Sequence, residues 1–241
     1  MPSFWDKVQV GNRDMELFVS TPTGAEPFPA VLVCQHGGGV DQFIQTICDR
    51  LAQAGYAAVA PNLFHRISGE MLRDGSQRIQ HLRDSEVRAD IDATVDFLLK
   101  HSAINDDRIG ITGFCMGGRV AWLGAATNPN FKAAAPYYGG NIMVPWGITD
   151  QTPFELTSGI TCPVLFHFGE LDLNPSRMDL RKLDDELLRF EIPHQFFTYP
   201  GADHAFMDFT AGRYNQQAAD ESWPRTLEFF NQHLKEAPVS N

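Results

Sequence analysis

The sequence has few cysteines and no long hydrophobic run. Its four cysteines are scattered and form neither a CxxC pair nor a metal-type cluster: Cys34, Cys48, Cys115 and Cys162. The first 18 residues are charged and lack the apolar core of a secretory signal, so we expect reduced thiols and a cytoplasmic protein. No segment approaches the roughly 18 consecutive apolar residues that cross a bilayer, and we therefore predict no membrane span.

Basic residues are also scarce. Lysine and arginine total 19 against 30 acidic residues, which gives a formal net charge of −11. An acidic surface repels phosphate backbones, and the dispersed basic residues form no membrane-binding patch, so we expect no nucleic-acid or membrane partner. The chain contains neither a GxGxxG nor an HExxH motif, and we predict neither a cofactor nor a metal. A small-molecule substrate remains, bound by a monomer or a homodimer.

Apolar residues make up 43% of the chain, which is enough for a sizeable core. Short apolar runs predict strands over residues 8–10, 15–20, 30–35, 56–60, 108–112, 133–138, 164–168 and 195–199. Longer amphipathic segments predict helices over residues 43–54, 85–101, 117–127, 176–189 and 216–234. Pro224 should start or kink the last of these helices. Residues 63–82 are polar and irregular, which suggests a lid or rim.

This alternation indicates one α/β domain over residues 1–241, with a mostly parallel sheet covered by helices.

The most informative segment is GITGFCMGGR, residues 110–119. It has the pattern G-x-nucleophile-x-G at the end of a predicted strand, with Cys115 in the nucleophile position. Flanking glycines remove the Cβ atoms that would clash in such a sharp turn. The helix that follows directs its amides at the thiol, which favours a thiolate. The alternative is a buried cysteine in an ordinary glycine-rich turn.

Such an elbow predicts an acid and then a histidine later in the chain, each after a strand. Asp172 and His204 stand at such places, so His204 would exchange the proton of Cys115 and Asp172 would orient the imidazole. Glu170 and Asp203 are alternative acids. We favour Asp172 because the longer arm of glutamate fits this role less often, and because Asp203 adjoins the histidine and should point away.

An oxyanion hole requires two amide donors. Met116, directly after the nucleophile, supplies one. The segment His36-Gly37-Gly38-Gly39 follows a buried strand, and its glycines let backbone approach a reacting carbonyl closely, so we predict Gly37 as the second donor. The alternative is an ordinary glycine turn.

The chain resembles the dienelactone hydrolase family of the α/β-hydrolase superfamily. The resemblance covers nearly the whole length and is carried by AGYAAVAPNLF, GITGFCMGGR, AAPYYGG, FHFGELDLNPS, YPGADHAF and RTLEFF. It implies an α/β-hydrolase fold, an open and mostly parallel sheet of about eight strands flanked by helices. It also implies a Cys–His–Asp triad, here Cys115, His204 and Asp172, and no metal or organic cofactor.

Two positions depart from the family pattern. Type members carry a glutamate after the third strand that helps to activate the thiol, and His36 stands there. His36 could hold the thiolate, contact substrate, or only pack the loop. Type members also bind a substrate carboxylate with two arginines. The position of one of these arginines is occupied by Asp208 here, and Arg78 or Arg83 could correspond to the other.

Tyr137 and Trp146 are further candidate substrate contacts, with core packing as the alternative. The residues together predict a hydrolase of small esters or lactones that works through an acyl-enzyme on Cys115, similar to a dienelactone hydrolase (carboxymethylenebutenolidase). Hydrolysis of organophosphate triesters by the same triad is a second interpretation. A non-catalytic or redox-sensing module that retains the fold is a third.

Overall fold

A computed structural model describes residues 2–67, 75–148 and 151–235 of the chain, so residues 68–74 of the predicted lid or rim lie outside the described residues. Eight strands form one sheet in the order β1-β2-β4-β3-β5-β6-β7-β8. Their bounds are β1 Ser3–Val10, β2 Arg13–Ser20, β3 Phe28–Cys34, β4 Ala57–Pro61, β5 Ile104–Phe114, β6 Phe131–Tyr137, β7 Val164–Gly169 and β8 His194–Tyr199.

The sheet is antiparallel at one edge and parallel elsewhere. β1 and β2 form an antiparallel hairpin, and β2 pairs antiparallel with β4. From β4 onward every neighbouring pair is parallel. The parallel strands therefore direct their carboxyl ends to the same edge of the sheet, and in an open α/β sheet this edge holds the functional loops. The predicted eight-stranded, mostly parallel sheet is confirmed.

Helices cover both faces of this sheet. Their bounds are α1 Gln42–Gln53, α2 Gly75–Ile79, α3 Asp84–Lys100, α4 Met116–Thr127, α5 Arg177–Arg189 and α6 Gln216–Phe230. Buried side chains of α3, α4 and α5 pack in one cluster, and those of α1 and α6 pack in a second cluster on the opposite face. Strand β3 shows why both faces are apolar, since Leu32 joins the first cluster and Val33 the second.

The structure extends or moves several predicted bounds. β1 begins at Ser3 rather than at residue 8, because its exposed residues gave no apolar signal there. β5 runs from Ile104 to Phe114, so it begins four residues before and ends two residues after the predicted 108–112. The short helix α2 lies inside the segment that was predicted to be irregular. Pro224 does not start the last helix, which begins at Gln216 and continues past the proline.

Candidate active site

Cys115 lies at a sharp turn between β5 and α4. Its backbone has φ 58° and ψ −121°, an unusual conformation for a residue with a side chain. Such strain costs on the order of 1–3 kcal/mol and persists where the surrounding structure enforces it. The side chain is half-buried at the carboxyl end of the central strand. The predicted strand–nucleophile–helix geometry is therefore present.

The glycines that flank Cys115 are required by close backbone packing. A Cβ on Gly113 would collide with the backbone of Gly117, one turn further along. A Cβ on Gly117 would collide with the carbonyl oxygens of Cys34 and Gln35. The turn thus brings the start of α4 against the end of β3, and only glycine fits at either contact.

His204 and Asp172 meet beside this turn, each on a loop that follows a parallel strand. His204 Nδ1 lies 2.8 Å from Asp172 Oδ2, and the Asp172 side chain is 2% exposed. The other Asp172 oxygen accepts a hydrogen bond from the Asn174 amide at 2.9 Å. Cys115 lies near enough to the same imidazole to raise its pKa. The structure thus brings the three predicted residues together in the order Cys115, His204, Asp172.

The two alternative acids are engaged elsewhere. Glu170 forms an exposed ion pair with Arg177 at 3.1 Å and accepts the Gly201 amide at 3.1 Å. Asp203 accepts its neighbour's amide at 2.6 Å, and its other oxygen lies 3.7 Å from Arg213 Nε. Asp172 is therefore the carboxylate that is bonded to the His204 ring.

The surroundings of His204 favour its protonated form. Burial lowers its pKa, but the hydrogen bonds to Asp172 and Cys115 and the charges of those groups outweigh burial and raise the pKa to about 10. A protonated imidazole beside a cysteine favours the thiolate at that cysteine. The structure thus places a protonated imidazole beside Cys115 at neutral pH.

Both predicted oxyanion donors lie at this edge of the sheet. Met116 is the first residue of α4, so its amide has no acceptor within the helix and the positive end of the helix dipole lies there. Gly37 lies in the glycine loop, residues 36–39, which follows β3 and closes with a hydrogen bond of 3.0 Å from the Gly39 amide to the His36 carbonyl. The loop packs against α2, because a Cβ on Gly37 would lie 3.2 Å from Ile79.

His36 lies between two carboxylates. Its Nε2 is 2.8 Å from Asp41 Oδ2, and its Nδ1 is 3.7 Å from Asp208 Oδ2. Asp41 is also the N-cap of α1, accepting the Phe43 and Ile44 amides. Burial raises the pKa of Asp41, but the bonds from His36 and these amides lower it overall. Of its three predicted roles, His36 has at least the structural one of linking the glycine loop to α1.

The two candidate arginines lie apart. Arg78 lines a cleft next to the glycine loop, where its guanidinium stands 5.3 Å from the Phe64 ring centroid. Arg83 precedes α3 and lines a different cavity, together with Arg13 and Arg66. Arg78 is therefore the arginine that adjoins the glycine loop.

The structure places Tyr137 and Trp146 in packing roles. Tyr137 is fully buried, and its hydroxyl bonds Thr226 Oγ1 at 2.6 Å beneath α6. The Trp146 ring lies 3.8 Å from the guanidinium carbon of Arg119. Tyr137 thus lies in the core with its hydroxyl directed toward α6, and its role as a substrate contact stays a prediction.

Tyr138 is the neighbouring tyrosine that lies at the site. Its ring centroid is 5.2 Å from that of His204, its φ is 38°, and its buried hydroxyl has no hydrogen-bond partner. Burial raises its pKa well above the ordinary value, and Cys115, Tyr137 and Asp208 add to this shift, whereas the nearby Met207 amide opposes it. The pair of tyrosines in AAPYYGG was the signal for it, but the pattern could not tell which ring faces the site.

Within residues 2–67, 75–148 and 151–235, no group of three or more histidine, cysteine or acidic side chains is arranged to hold a metal ion. Among the helices described there, none is both long and apolar enough to cross a membrane.

Known proteins resemble this chain in both sequence and fold. The sequence pattern of the dienelactone hydrolase family matches residues 15–234. The chain belongs to the dienelactone hydrolase family. It is 33% identical over 214 residues to a Yersinia pestis protein assigned as a carboxymethylenebutenolidase, covering 86% of this chain and 79% of the relative. We therefore describe it below as a hydrolase of this family.

Solved structures of other proteins have the same fold as this chain. A Klebsiella pneumoniae protein assigned as a dienelactone hydrolase is 29% identical with a TM-score of 0.83, and the match covers 96% of this chain and 100% of that one. A dienelactone hydrolase-like promiscuous phosphotriesterase from metagenomic libraries is 21% identical with a TM-score of 0.86, covering 96% of this chain and 98% of that one.

Proposed function

We propose that this family member hydrolyses small esters or lactones through a covalent acyl-enzyme on Cys115. The thiolate attacks the carbonyl carbon, a C–S bond forms, and the carbonyl electrons move to the oxygen. The amides of Met116 and Gly37 stabilise this oxyanion. When the carbonyl reforms, the C–O bond of the leaving group breaks and His204 gives it a proton. The acyl group is then held as a thioester.

The second half of the reaction releases the acid. His204, now neutral, takes a proton from a water molecule that attacks the thioester carbon. Collapse of the second tetrahedral intermediate breaks the C–S bond and regenerates the thiolate beside the imidazolium. Asp172 holds the ring in the orientation that both steps need. A thiolate is itself a good leaving group, so the enzyme should prefer activated esters and enol lactones over simple alkyl esters.

The observation that carries this proposal is the His204 environment. Its ring is bonded to Asp172 at 2.8 Å, and Asp172 and Cys115 together raise its pKa to about 10. A cysteine that only packs in a glycine-rich turn would need neither this base nor the left-handed φ of 58°.

The test is turnover of p-nitrophenyl acetate, before and after one equivalent of iodoacetamide, with the labelled cysteine mapped by mass spectrometry. We expect turnover that alkylation of Cys115 abolishes, and an acetylated Cys115 when the reaction is quenched early. Cys34, Cys48 and Cys162 are buried and serve as internal controls that should stay unlabelled. Rapid alkylation of Cys115 without turnover would instead favour a redox-sensing thiol. Activity that survives with Cys115 unlabelled would exclude it as the nucleophile.

A further inference from the structure

Beside the glycine loop, the structure contains a second feature that the proposed reaction does not use. It is an open cleft of about 490 Å³ that lies between the hairpin of β1 and β2, the loop after β4, and α2. Gly38 and Gly39 form part of its wall, so the cleft begins one residue from the proposed oxyanion donor Gly37. A substrate whose ester carbonyl lies at Cys115 could extend into it.

His65 lines this cleft with a ring nitrogen that has no partner. Its Nε2 lies 3.0 Å from Asp90 Oδ1, and the same buried carboxylate binds Arg66 at 2.6 and 2.7 Å. A carboxylate accepts hydrogen bonds, so we assign the His65 proton to Nε2, and in that tautomer Nδ1 is the acceptor. The side chain is 3% exposed, and Nδ1 is buried without a hydrogen bond. Native structures rarely leave such an atom unsatisfied, so it points to a hydrogen-bond donor on a ligand.

Arg78 offers the complementary group in the same cleft. Its Nε is also buried without a hydrogen-bond partner, and an arginine nitrogen can only donate. His65 and Arg78 therefore both line this cleft, and each has a buried nitrogen without a hydrogen-bond partner, an acceptor on His65 and a donor on Arg78. A hydroxyl group satisfies both kinds of partner because it donates one hydrogen bond and accepts others.

The remaining walls favour a neutral ligand with flat apolar faces. Trp5 is 48% exposed on the edge strand, and Phe64 lies under the Arg78 guanidinium. The cleft carries charges of both signs, two basic and three acidic side chains, which are Lys7, Arg78, Asp14, Glu16 and Asp41. Neither sign dominates, so the cleft has no field that would select a strongly charged ligand.

We propose that this cleft binds a neutral polyhydroxylated group, such as a sugar or polyol, as part of the ester substrate. The inference rests on the proposed function for its link to Cys115, whereas binding to the cleft is measurable without catalysis. The aromatic face of Trp5 packs against the ring carbons, and His65 Nδ1 and Arg78 Nε pair with hydroxyls.

Binding is tested by titration calorimetry of the whole protein with xylobiose, and with sodium succinate as an anionic comparison. We expect xylobiose to bind and succinate to bind at least tenfold more weakly. His65→Leu and Trp5→Leu should each weaken xylobiose at least tenfold. His65→Leu leaves Asp90 paired with Arg66. Trp5→Leu changes a surface residue, so it still tests the proposal if the buried His65→Leu substitution prevents folding.

The matched control is His101→Leu, because His101 lines a separate cavity on the far side of the hairpin with Val8 and Gln9. It should bind xylobiose as the parent does. Absence of xylobiose binding in the parent, or unchanged binding in Trp5→Leu, would overturn the proposal. Succinate binding more tightly than xylobiose would overturn the choice of a neutral ligand and assign an anion to the cleft.

Turnover provides a second and separate readout. The ratio of kcat/KM for xylose tetraacetate to that for p-nitrophenyl acetate should fall at least tenfold in Trp5→Leu and stay constant in His101→Leu. If the parent binds xylobiose but cleaves no ester, the proposed function fails while the cleft assignment stands. If it cleaves p-nitrophenyl acetate but binds no xylobiose, the proposed function stands and the cleft assignment fails.

Discussion

Arg119 and Asp84 form a two-bond ion pair inside the protein, and Arg119 lies one turn after Cys115. Nη1 lies 2.5 Å from Oδ1 and Nη2 lies 2.8 Å from Oδ2, and both side chains are at most 2% exposed. Arg119 also donates to the carbonyls of Asn141 and Val144. The pair thus joins α4, the helix that follows Cys115, to the start of α3 and to the loop that follows β6.

We expect Arg119→Met and Asp84→Leu each to lower the free energy of unfolding by about 3–5 kcal/mol, because each leaves a buried charge uncompensated. The double variant should lose less free energy of unfolding than the two single variants together, since neither buried charge remains. Urea unfolding measures all three. The control is Arg177→Met, which removes an ion pair that is 67% and 39% exposed and should cost under about 1 kcal/mol. A loss in Arg119→Met no larger than in this control would contradict the prediction.

The backbone contact at Gly117 predicts a sharp difference between two glycines. Gly117→Ala should abolish turnover or folding, because its Cβ collides with the carbonyl oxygens that end β3 and backbone cannot move aside. Gly212→Ala is the matched control, since nothing lies within 4 Å of a Cβ built there. Expression, circular dichroism and p-nitrophenyl acetate turnover compare the two. A Gly117→Ala protein with parental activity would show that the elbow tolerates a wider spacing from β3.

Local patterns explain which parts of this molecule could be predicted. Most strands carry short apolar runs, and the Cys115 turn and the His204 loop are short motifs that directly follow strands, so the sheet and the position of these motifs at its edge were predictable. The antiparallel edge of the sheet was less predictable, because the exposed residues of β1 do not alternate clearly between apolar and polar.

Contacts between distant segments were not predictable. The Arg119–Asp84 pair joins residues 35 positions apart, and nothing in either local sequence indicates a partner. Tyr138 was missed for another reason. It follows the last residue of β6 with φ 38°, so the alternation of strand faces ends before it and cannot assign its side.

The raised pKa of His204 predicts how its contribution to stability depends on pH. The ring has a pKa of about 6.5 in the unfolded chain and about 10 in the folded protein. Below about pH 6.5 both states are protonated and the stabilising contribution is fully present. It declines as pH rises and is lost above about pH 10, where the folded ring is also neutral.

Urea unfolding at pH 6, 8 and 10 of the parent and of His204→Gln measures this dependence. The free energy of unfolding of the parent should exceed that of the variant most at pH 6, and this difference should shrink toward pH 10. His81→Gln, which removes an exposed histidine, controls for the general effect of losing one imidazole. A difference that grows with pH would mean that the neutral ring is the stabilised form.

The adjacent tyrosines offer a matched pair of hydroxyl deletions. Both are at most 1% exposed. Tyr137 has two hydrogen-bond partners, Thr226 Oγ1 at 2.6 Å and the Ser222 carbonyl at 3.3 Å, whereas the Tyr138 hydroxyl has none of good geometry, although the Met207 amide lies near enough to lower its pKa. Tyr137→Phe should therefore cost about 1–2 kcal/mol of unfolding free energy, because it leaves buried partners unsatisfied. Tyr138→Phe removes a hydroxyl that has no partner and should leave stability unchanged or raise it slightly. Urea unfolding of the two variants compares them directly. Equal losses would mean that the Tyr138 hydroxyl is paired in solution, with water or with the protein, and that its place beside His204 is a solvated part of the site.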